Sequence, residues 1–404
     1  MEQPSERDTS RKLPVIFNPN YMVARSCLIE GTDIRGTRPG NWPITAARVR
    51  YGWGNVSVGD WPFSNEAHWY QDEPEGLDEK AKLYRAKYYR RICGLDECRH
   101  ALKARRPVEV SFAVTEAWFN AERGEIPEFN SEADIVGTHH VALVGYSDDR
   151  RRLKFVNSWG PEWGDRGIGT ISCDYYEKWS REAWLIDAGL DSRQIVKDAL
   201  GKVHARSASP DGPLELMWAI PDELNPSTPI HCREIFDYEH DERIGWAFAT
   251  TSGGFLEIED FFVRPAYRRQ GYATRIARML SDFSLSLGLP MKLLVTFADA
   301  GPENHAAIHG LLRLLRLTLR ESNRQDLAYV ALSGASSRTL ESITIPEKPT
   351  LYRGSPLERF DDPEVELSSR LEAERITPSN EQLRALIGKF EPPSDMFAHE
   401  EMPF

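Results

Sequence analysis

One segment of this 404-residue chain, residues 263–273 with the sequence VRPAYRRQGYA, constrains the fold more than any other. It follows an apolar run typical of a strand, Phe255–Val263, and it leads into a helical pattern. The first turn of a helix carries backbone N–H groups without intrahelical partners and a partial positive charge, so it binds anions readily. Gly271 lets an anion approach the backbone closely, and Arg268 and Arg269 add positive charge. The segment therefore predicts an anion site between a strand and a helix.

Residues 268–273 of this segment, RRQGYA, resemble the acyl-CoA-binding motif of the GNAT family of N-acetyltransferases, Arg/Gln-x-x-Gly-x-Gly/Ala. The resemblance extends from about residue 235 to residue 332, in the family's order of strands and helices. It implies a mixed α/β module that holds acetyl-CoA or another acyl-CoA, with the pyrophosphate on the backbone amides of residues 270–273. It also implies that the strand ending at Val263 diverges from the strand 292–297, so that the pantetheine lies between them. The residues implied in cofactor binding are Val263, Arg268, Arg269, Gln270, Gly271, Tyr272, Ala273 and Asn304.

Direct acyl transfer to an amine needs a base for the amine proton and a donor for the departing thiolate. Glu257 and Glu259 are two residues apart on one predicted strand, so both point to the same face. They lie where the GNAT family frequently has its carboxylate base; the alternative is that they only solvate the strand. The family's usual acid, a Tyr seven residues after Asn304, is replaced here by Leu311, and Tyr329 is the candidate substitute.

A second pattern lies upstream, in residues 137–146 (GTHHVALVGY) and residues 155–164 (FVNSWGPEWG). It resembles papain-like (C1-type) cysteine peptidases, in which a His begins a strand seven residues before a Tyr and an Asn-Ser-Trp-Gly-x-x-Trp-Gly run follows. The resemblance implies that His139 is the catalytic base, that Asn157 orients its imidazole, and that Trp159 shields their hydrogen bond from water. This is the logic of a general triad of base, orienting residue and nucleophile.

The nucleophile is where this pattern departs from the family. The family's catalytic Cys begins a helix ahead of a segment that the stretch from Phe17 to Cys27 resembles, yet the sixteen residues before Phe17 contain no Cys. Cys27 is in register with a structural Cys and is interpreted as a small buried hydrophobic residue. Three explanations stay open: a pseudo-peptidase that retains the peptide cleft, a recorded start downstream of the true one, or another chain that supplies the helix.

A module without its central helix exposes a hydrophobic groove, and such surfaces recruit a protein partner or a dimer. Trp53, Trp61 and Trp69 are candidates to line this groove, with core packing as the alternative. Two early helices of the GNAT family are also missing before Glu234, which predicts a remodelled acceptor wall.

The length favours two or three domains, each able to bury its own core. The predicted architecture is α+β, a papain-like module followed by a GNAT-type mixed α/β module and a flexible tail. The predicted divisions are a disordered leader (1–12), the papain-like module (13–190), a linker (191–212), the GNAT-like module (213–336) and an acidic, Pro-rich tail (337–404). The strands expected in the two modules lie at 108–114, 140–146, 234–238, 245–250, 255–263, 292–297 and 327–332, and the helices at 96–104, 274–287 and 303–317.

Composition excludes several classes of protein. The net charge of −12 argues against broad contact with nucleic-acid phosphates. The sequence contains neither an apolar run of the roughly 18 residues that cross a membrane nor a secretory signal at its start, so a cytoplasmic location is expected. The five scattered cysteines predict no disulfide framework. No metal site is expected either, because the spacing of Cys93, Cys98 and His100 fits no standard zinc site.

The sequence therefore predicts an acyl-CoA-dependent N-acetyltransferase acting on an amine, such as that of a peptide or protein. In this prediction the papain-like module is inactive as a peptidase and binds a peptide or a partner. Two alternatives remain: a cysteine peptidase that uses His139 and Asn157 with a nucleophile from outside this chain, and a non-enzymatic scaffold that binds CoA and peptide.

Overall fold

The computed structural model describes residues 15–32, 41–63, 70, 73–187, 213–220, 229–295, 311, 314–315 and 329–332. Several predictions fall outside these residues: the leader, the linker, Trp69, Asn304, most of the helix 303–317 and the tail. No helix in the described part of the chain is long and apolar enough to cross a membrane.

Two six-stranded sheets organise the described residues. The first sheet is antiparallel and has the order β1-β6-β2-β3-β4-β5. Its strands are β1 (Tyr88–Arg91), β2 (Val108–Val114), β3 (Gly137–Ser147), β4 (Arg152–Val156), β5 (Ile168–Ser172) and β6 (Ser180–Asp187). The second sheet has the order β7-β8-β9-β10-β11-β12, antiparallel from β7 to β10 and parallel from β10 to β12. Its strands are β7 (Leu214–Ile220), β8 (Ile230–Asp237), β9 (Glu242–Ser252), β10 (Phe255–Val263), β11 (Met291–Val295) and β12 (Tyr329–Leu332).

The α-helices of the described residues are α1 (Pro19–Glu30), α2 (Pro43–Gly52), α3 (Leu77–Ala81), α4 (Gly94–Lys103), α5 (Cys173–Trp179) and α6 (Tyr272–Leu287). The ends of α1 follow from its sequence. The Asn18 side chain accepts a hydrogen bond from the Asn20 N–H at 2.8 Å, Pro19 occupies the first turn, and Gly31 adopts the left-handed conformation that ends the helix.

The two sheets share one apolar core. Trp246, Phe248 and Phe262 of the second sheet belong to the same buried cluster as Tyr51 and Tyr89 of the first module. The rings of Tyr51 and Trp246 are 4.9 Å apart, and those of Tyr89 and Phe248 are 4.8 Å apart. One face of β8, β9 and β10 therefore covers α2 and β1 of the same chain.

Helix α6 packs on the opposite face of the second sheet, where Ile276 and Leu280 join a separate cluster with Ala247 and Ile258. The second sheet is thus covered by its own helix on one side and by the first module on the other.

This arrangement bears on the groove that the sequence predicted. Trp53 and Trp61 are buried in the shared core, which fits the core-packing interpretation of these residues. Apolar surface of the first module is covered by the second sheet of the same chain, and a further protein partner or dimer at the cleft stays a prediction. Nine residues, 221–229, separate β7 from β8, and the remodelled acceptor wall stays a prediction.

Candidate functional site

The loop between β10 and α6 has the geometry of an anion site. After Val263 the chain makes a short turn at Pro265–Tyr267, and Arg269 and Gly271 then adopt positive φ angles of 63° and 84°. The Arg268 Nε donates to the Val263 carbonyl at 3.2 Å, which ties the loop to the end of the strand. Residue 271 needs glycine because few side chains tolerate this left-handed conformation.

The backbone N–H groups of this loop are available to a ligand. The first helical bond of α6 runs from the Arg275 N–H to the Gly271 carbonyl at 3.2 Å. Among the residues that the structure describes, the N–H groups of residues 269–274 have no acceptor. The space above Gly271 is open, since a Cβ built there would meet no atom within 4 Å. A row of unpaired donors at a helix N-terminus beside open space suits the pyrophosphate of an acyl-CoA.

The pairing between β10 and β11 covers only the first part of β10 in the described residues. They pair at Leu256–Met291, Glu257–Lys292 and Ile258–Leu293, and among the described residues this pairing ends at Ile258, whereas β10 extends to Val263. Leu294 and Val295, the last residues of β11 that the structure describes, pair with β12. The described part of β11 ends at Val295, so the divergence toward Val263 that the resemblance implied for the pantetheine arm stays a prediction.

Glu259 is the first residue of β10 beyond the last pair with β11. Its side chain is only 5% exposed and lies against the first module. The Thr250 hydroxyl donates to Glu259 Oε1 at 3.0 Å, and the Arg91 backbone N–H donates to Oε2 at 3.2 Å. Burial raises the pKa of Glu259 above its ordinary value, while the cations of Arg90 and Arg91 oppose that rise.

Glu257 lies on the same face of β10 as Glu259. Thr250, which holds Glu259, is the register partner of Glu257 on β9. Lys292 of β11 pairs with Glu257 at 2.6 Å between Nζ and Oε1. The shared face predicted from the two-residue spacing is confirmed. Both carboxylates form hydrogen bonds or an ion pair with protein groups and are not only solvated.

Tyr329 lies in the same row of the sheet as these residues. Lys292 is the register partner of Glu257 on one side and of Tyr329 on the other. Adjacent strands are about 4.8 Å apart, so the Cα atoms of Glu257 and Tyr329 are roughly 10 Å apart. Its role as an acid stays a prediction.

A bulge in β10 was not foreseen from the sequence. The register with β9 shifts between Ile258 and Asp260, so that Asp260 also reaches the first module. Its Oδ1 pairs with the Arg48 Nη2 at 2.5 Å, and the Tyr89 hydroxyl donates to its other carboxylate oxygen. Strict alternation would have placed Asp260 on the face of α6, and no residue pattern in β10 signals the extra residue.

The histidine pair of the first module is assembled as the resemblance implied. His139 Nε2 is 2.8 Å from Asn157 Oδ1, and the imidazole stacks on Trp159 with ring centres 4.5 Å apart. Burial lowers the pKa of His139 to about 4, and the hydrogen bond to Asn157 acts in the opposite direction. The imidazole is therefore neutral at pH 7, with Nδ1 lacking a hydrogen-bond partner in the described residues.

The five cysteines of the chain lie away from the contacts described for His139. Cys27 is buried on α1, as predicted for a small hydrophobic residue, and Cys232 lies 3.6 Å from the Tyr51 hydroxyl. Cys98 lies on α4 and Cys173 begins α5, both buried, whereas Cys93 precedes α4 and is exposed. None of the contacts described for His139 involves a thiol.

Comparison with known proteins assigns both modules. Residues 39–181 match the family model described as papain family cysteine protease, and residues 199–314 match the acetyltransferase (GNAT) family. The chain therefore combines a papain-like domain with a GNAT domain in one mixed α/β protein.

Individual relatives resemble parts of the chain. A thiol protease aleurain-like protein of Arabidopsis thaliana is 38% identical over 77 residues, which are 18% of this chain and 21% of that protein. The chain thus spans about a fifth of the length of this curated relative. Xylellain, a cysteine protease from Xylella fastidiosa, is 19% identical with a TM-score of 0.39, covering 44% of this chain and 72% of that one. Digestive procathepsin L 3 of Tenebrio molitor is 16% identical with a TM-score of 0.32, covering 43% and 56%.

Proposed function

We propose that this chain is an acyl-CoA-dependent N-acetyltransferase that acts on an amine, such as that of a peptide or protein. The observation that carries the proposal is the run of unpaired N–H groups at residues 269–274, which lies beside the open space at Gly271. The end of the described pairing between β10 and β11 at Ile258 supports it, because a pantetheine arm would lie between the two strands beyond that point. A bound acyl-CoA would supply the acyl group as a thioester.

Glu259 is the proposed base. Its raised pKa brings a carboxylate closer to the pH at which general bases work well, and it is the first residue of β10 beyond the last described pair with β11, where the amine would react. Glu257 lies on the same face and is held by Lys292, which suits a supporting role. The first module forms the wall on this side of the sheet, since the Arg91 N–H bonds directly to Glu259.

The cofactor site is tested by calorimetric titration of the full chain with acetyl-CoA, together with two glycine variants. Gly271→Glu places a negative side chain over the unpaired N–H groups and is expected to abolish binding. Gly254→Glu is the matched control, because Gly254 also has a positive φ of 82° and open space, but lies in the turn between β9 and β10. That turn is at the other end of β10, about 26 Å from Val263 for eight residues of strand.

Binding by the parent and the control, but not by Gly271→Glu, supports the proposed site. Binding by none of the three proteins contradicts the proposal. Turnover is then followed as the release of the CoA thiol with small amines and peptides as acceptors. Binding without any acetylated product favours the scaffold alternative.

For the first module we propose binding of a peptide or partner without cleavage. His139 and Asn157 are arranged as a base and its orienting residue, yet the described thiols lie elsewhere. The test is hydrolysis of fluorogenic peptides by the full chain and by His139→Ala, and the readout of peptide binding is the quenching of tryptophan fluorescence that a Trp159→Phe variant loses. Peptide-dependent quenching without hydrolysis is the expected result.

A cysteine peptidase with a nucleophile from outside the described residues is the second candidate. The specific observation in its favour is the free Nδ1 of a neutral His139, the atom that would accept a thiol proton. Hydrolysis by the parent that disappears in His139→Ala supports this candidate and contradicts the proposal of an inactive module.

A further inference from the structure

A cavity of about 420 Å³ lies between α6 and the edge of the second sheet formed by β7 and β8. Its wall includes Arg233 of β8, Met217 of β7, and Met279 and Phe283 of α6. The cofactor loop follows β10, two strands away from β8, so the two places are about 10 Å apart across the sheet. A volume of this size accommodates a small molecule.

Arg233 is the unusual member of this wall. It is only 6% exposed, and its Nη1 donates to the carbonyl of Cys232 at 2.8 Å. Its Nε is buried without a partner, and no carboxylate within ion-pair distance is recorded for it among the described residues. A buried guanidinium without an anion is costly, because its charge is removed from water without compensation. Burial accordingly lowers the pKa of Arg233 to about 10.

The neighbouring charges do not offset Arg233. Arg275 on the same wall pairs with Glu215 at 2.8 Å and donates to the Pro213 carbonyl at 2.9 Å, so Glu215 is already engaged. Arg278 and Asp282, also on the wall, both make interactions of their own. Arg233 therefore contributes a positive charge to the cavity that the described side chains leave uncompensated.

The rest of the wall is apolar and adaptable. The guanidinium of Arg233 lies 4.0 Å from the centre of the Phe283 ring, which fixes its plane against the aromatic face. Met217 and Met279 are flexible side chains that adapt to the shape of an apolar group. A fixed guanidinium beside such a surface matches a planar or tetrahedral anion attached to a hydrophobic body.

We propose that this cavity binds a small organic anion, with its phosphate or carboxylate on Arg233 and its apolar body against Phe283 and Met279. The proposal does not depend on acyl transfer by the chain.

The test is calorimetric titration of the full chain with four probes: phenyl phosphate, benzoate, inorganic phosphate and benzyl alcohol. Phenyl phosphate or benzoate is expected to bind at least tenfold more tightly than both inorganic phosphate, which lacks the apolar body, and benzyl alcohol, which lacks the charge. Whichever of phenyl phosphate and benzoate binds more tightly shows whether the cavity prefers a phosphate or a carboxylate head group. Equal binding of benzyl alcohol, or binding of neither aryl anion, overturns the proposal.

Variants localise the binding. Arg233→Met removes the charge and keeps an apolar side chain, so it is expected to weaken the binding of the preferred aryl anion at least tenfold. Arg150→Met, in an exposed turn, is expected to leave that binding unchanged. Ser286→Trp fills the cavity from an exposed position of α6 and tests the site without altering the core. Gly271→Glu is expected to bind as the parent does, which separates this cavity from the acyl-CoA site. Unchanged affinity in both Arg233→Met and Ser286→Trp overturns the proposal.

Discussion

Glu259 and Glu257 share one face of β10 but differ in their surroundings, and this difference is the ground for proposing Glu259 as the base. Burial raises the pKa of Glu259, whereas Glu257 is held by Lys292. We expect Glu259→Gln to lower kcat by about 10²–10⁴, the usual contribution of a general base, and Glu257→Gln to have a smaller effect. The amide can still accept from the Arg91 N–H and donate to Thr250, so the fold is expected to persist.

The pH profile gives a second readout of the same residue. Because the base acts in its deprotonated form, kcat/KM of the parent is expected to rise with pH through a pKa above 4.5, the ordinary value for a glutamate. This limb should be absent from the residual activity of Glu259→Gln. A profile that loses its limb in Glu257→Gln instead would assign the base to Glu257.

His139 provides a prediction on stability. Its pKa of about 4 in the folded state is below the ordinary value of 6.5, because burial disfavours the imidazolium. As the pH falls from 6.5 to about 4, the unfolded chain binds a proton that the folded chain excludes, so the free energy of unfolding decreases. Denaturant unfolding over this range should give a shallower pH dependence for His139→Gln than for the parent.

Direct titration checks the cause. Carbon-13-labelled histidine should show two resonances that titrate near pH 4, those of His139 and His231, and the first of them should be missing in His139→Gln. Titration of the His139 resonance near 6.5 would contradict the burial argument.

At the level of the element, the N-terminus of α6 combines two effects of opposite sign. A carboxylate in the first turn of a helix stabilises it by about 0.3–1 kcal/mol, because it faces unpaired N–H groups and the positive end of the helix dipole. The same carboxylate competes with a bound phosphate. We expect Thr274→Glu to raise the melting temperature slightly and to weaken acetyl-CoA binding, as measured by thermal unfolding and calorimetry.

The control for this pair of effects lies at the other end of the helix. Leu285→Glu places the same charge on an exposed position of the last turn, where it faces the negative end of the dipole. It should lower the melting temperature slightly and leave the affinity for acetyl-CoA unchanged. Equal loss of binding in both variants would show that net charge, rather than the anion site, controls affinity.

The elements that the sequence predicted well carry a recognisable local pattern, an apolar run for a strand or a helical period for a helix. The strands 108–114 and 255–263 agree with β2 and β10, and the helix 274–287 differs from α6 by two residues. Helix α2 was not predicted, because it is buried on nearly all sides and its sequence PITAARVRYG shows no 3.6-residue period. Strand β7 was also missed.

The residues of the candidate site also fall into those that local sequence predicts and those that it does not. Motif residues that act through local backbone, such as those of the 263–273 loop, were predicted because a turn and a helix start follow from nearby sequence. Contacts between the modules, such as Arg48 with Asp260, join residues 212 positions apart and depend on a bulge, so no local pattern indicates them.

At the scale of the whole molecule, the two family domains are one folded unit. The second sheet places Trp246 and Phe248 in the core of the first module, and Arg243 bonds to the Tyr51 carbonyl at 2.6 Å. Buried surface shared in this way couples the unfolding of both parts, since either module alone would expose these side chains to water. Each domain is therefore expected to depend on the other for stability, in contrast to domains joined only by a linker.

The ion pair between Arg48 and Asp260 allows a direct test of this coupling. It links α2 to β10 at 2.5 Å, and the two side chains are 7% and 2% exposed. Asp260→Asn removes the carboxylate charge that faces a buried guanidinium, and breaking a buried pair in this way costs about 3–5 kcal/mol. Calorimetric unfolding should show one transition in the parent and one transition, shifted to lower temperature, in the variant.

Asp174→Asn is the matched control, because the pair of Asp174 with Arg151 is largely exposed, and exposed pairs contribute little. It should leave the transition where it is in the parent. If Asp260→Asn splits the transition in two, with the papain-like part melting as in the parent, the modules unfold independently. The two modules would then pack together in the shared core without unfolding cooperatively. The acceptor wall formed by the first module would be able to move away from Glu259.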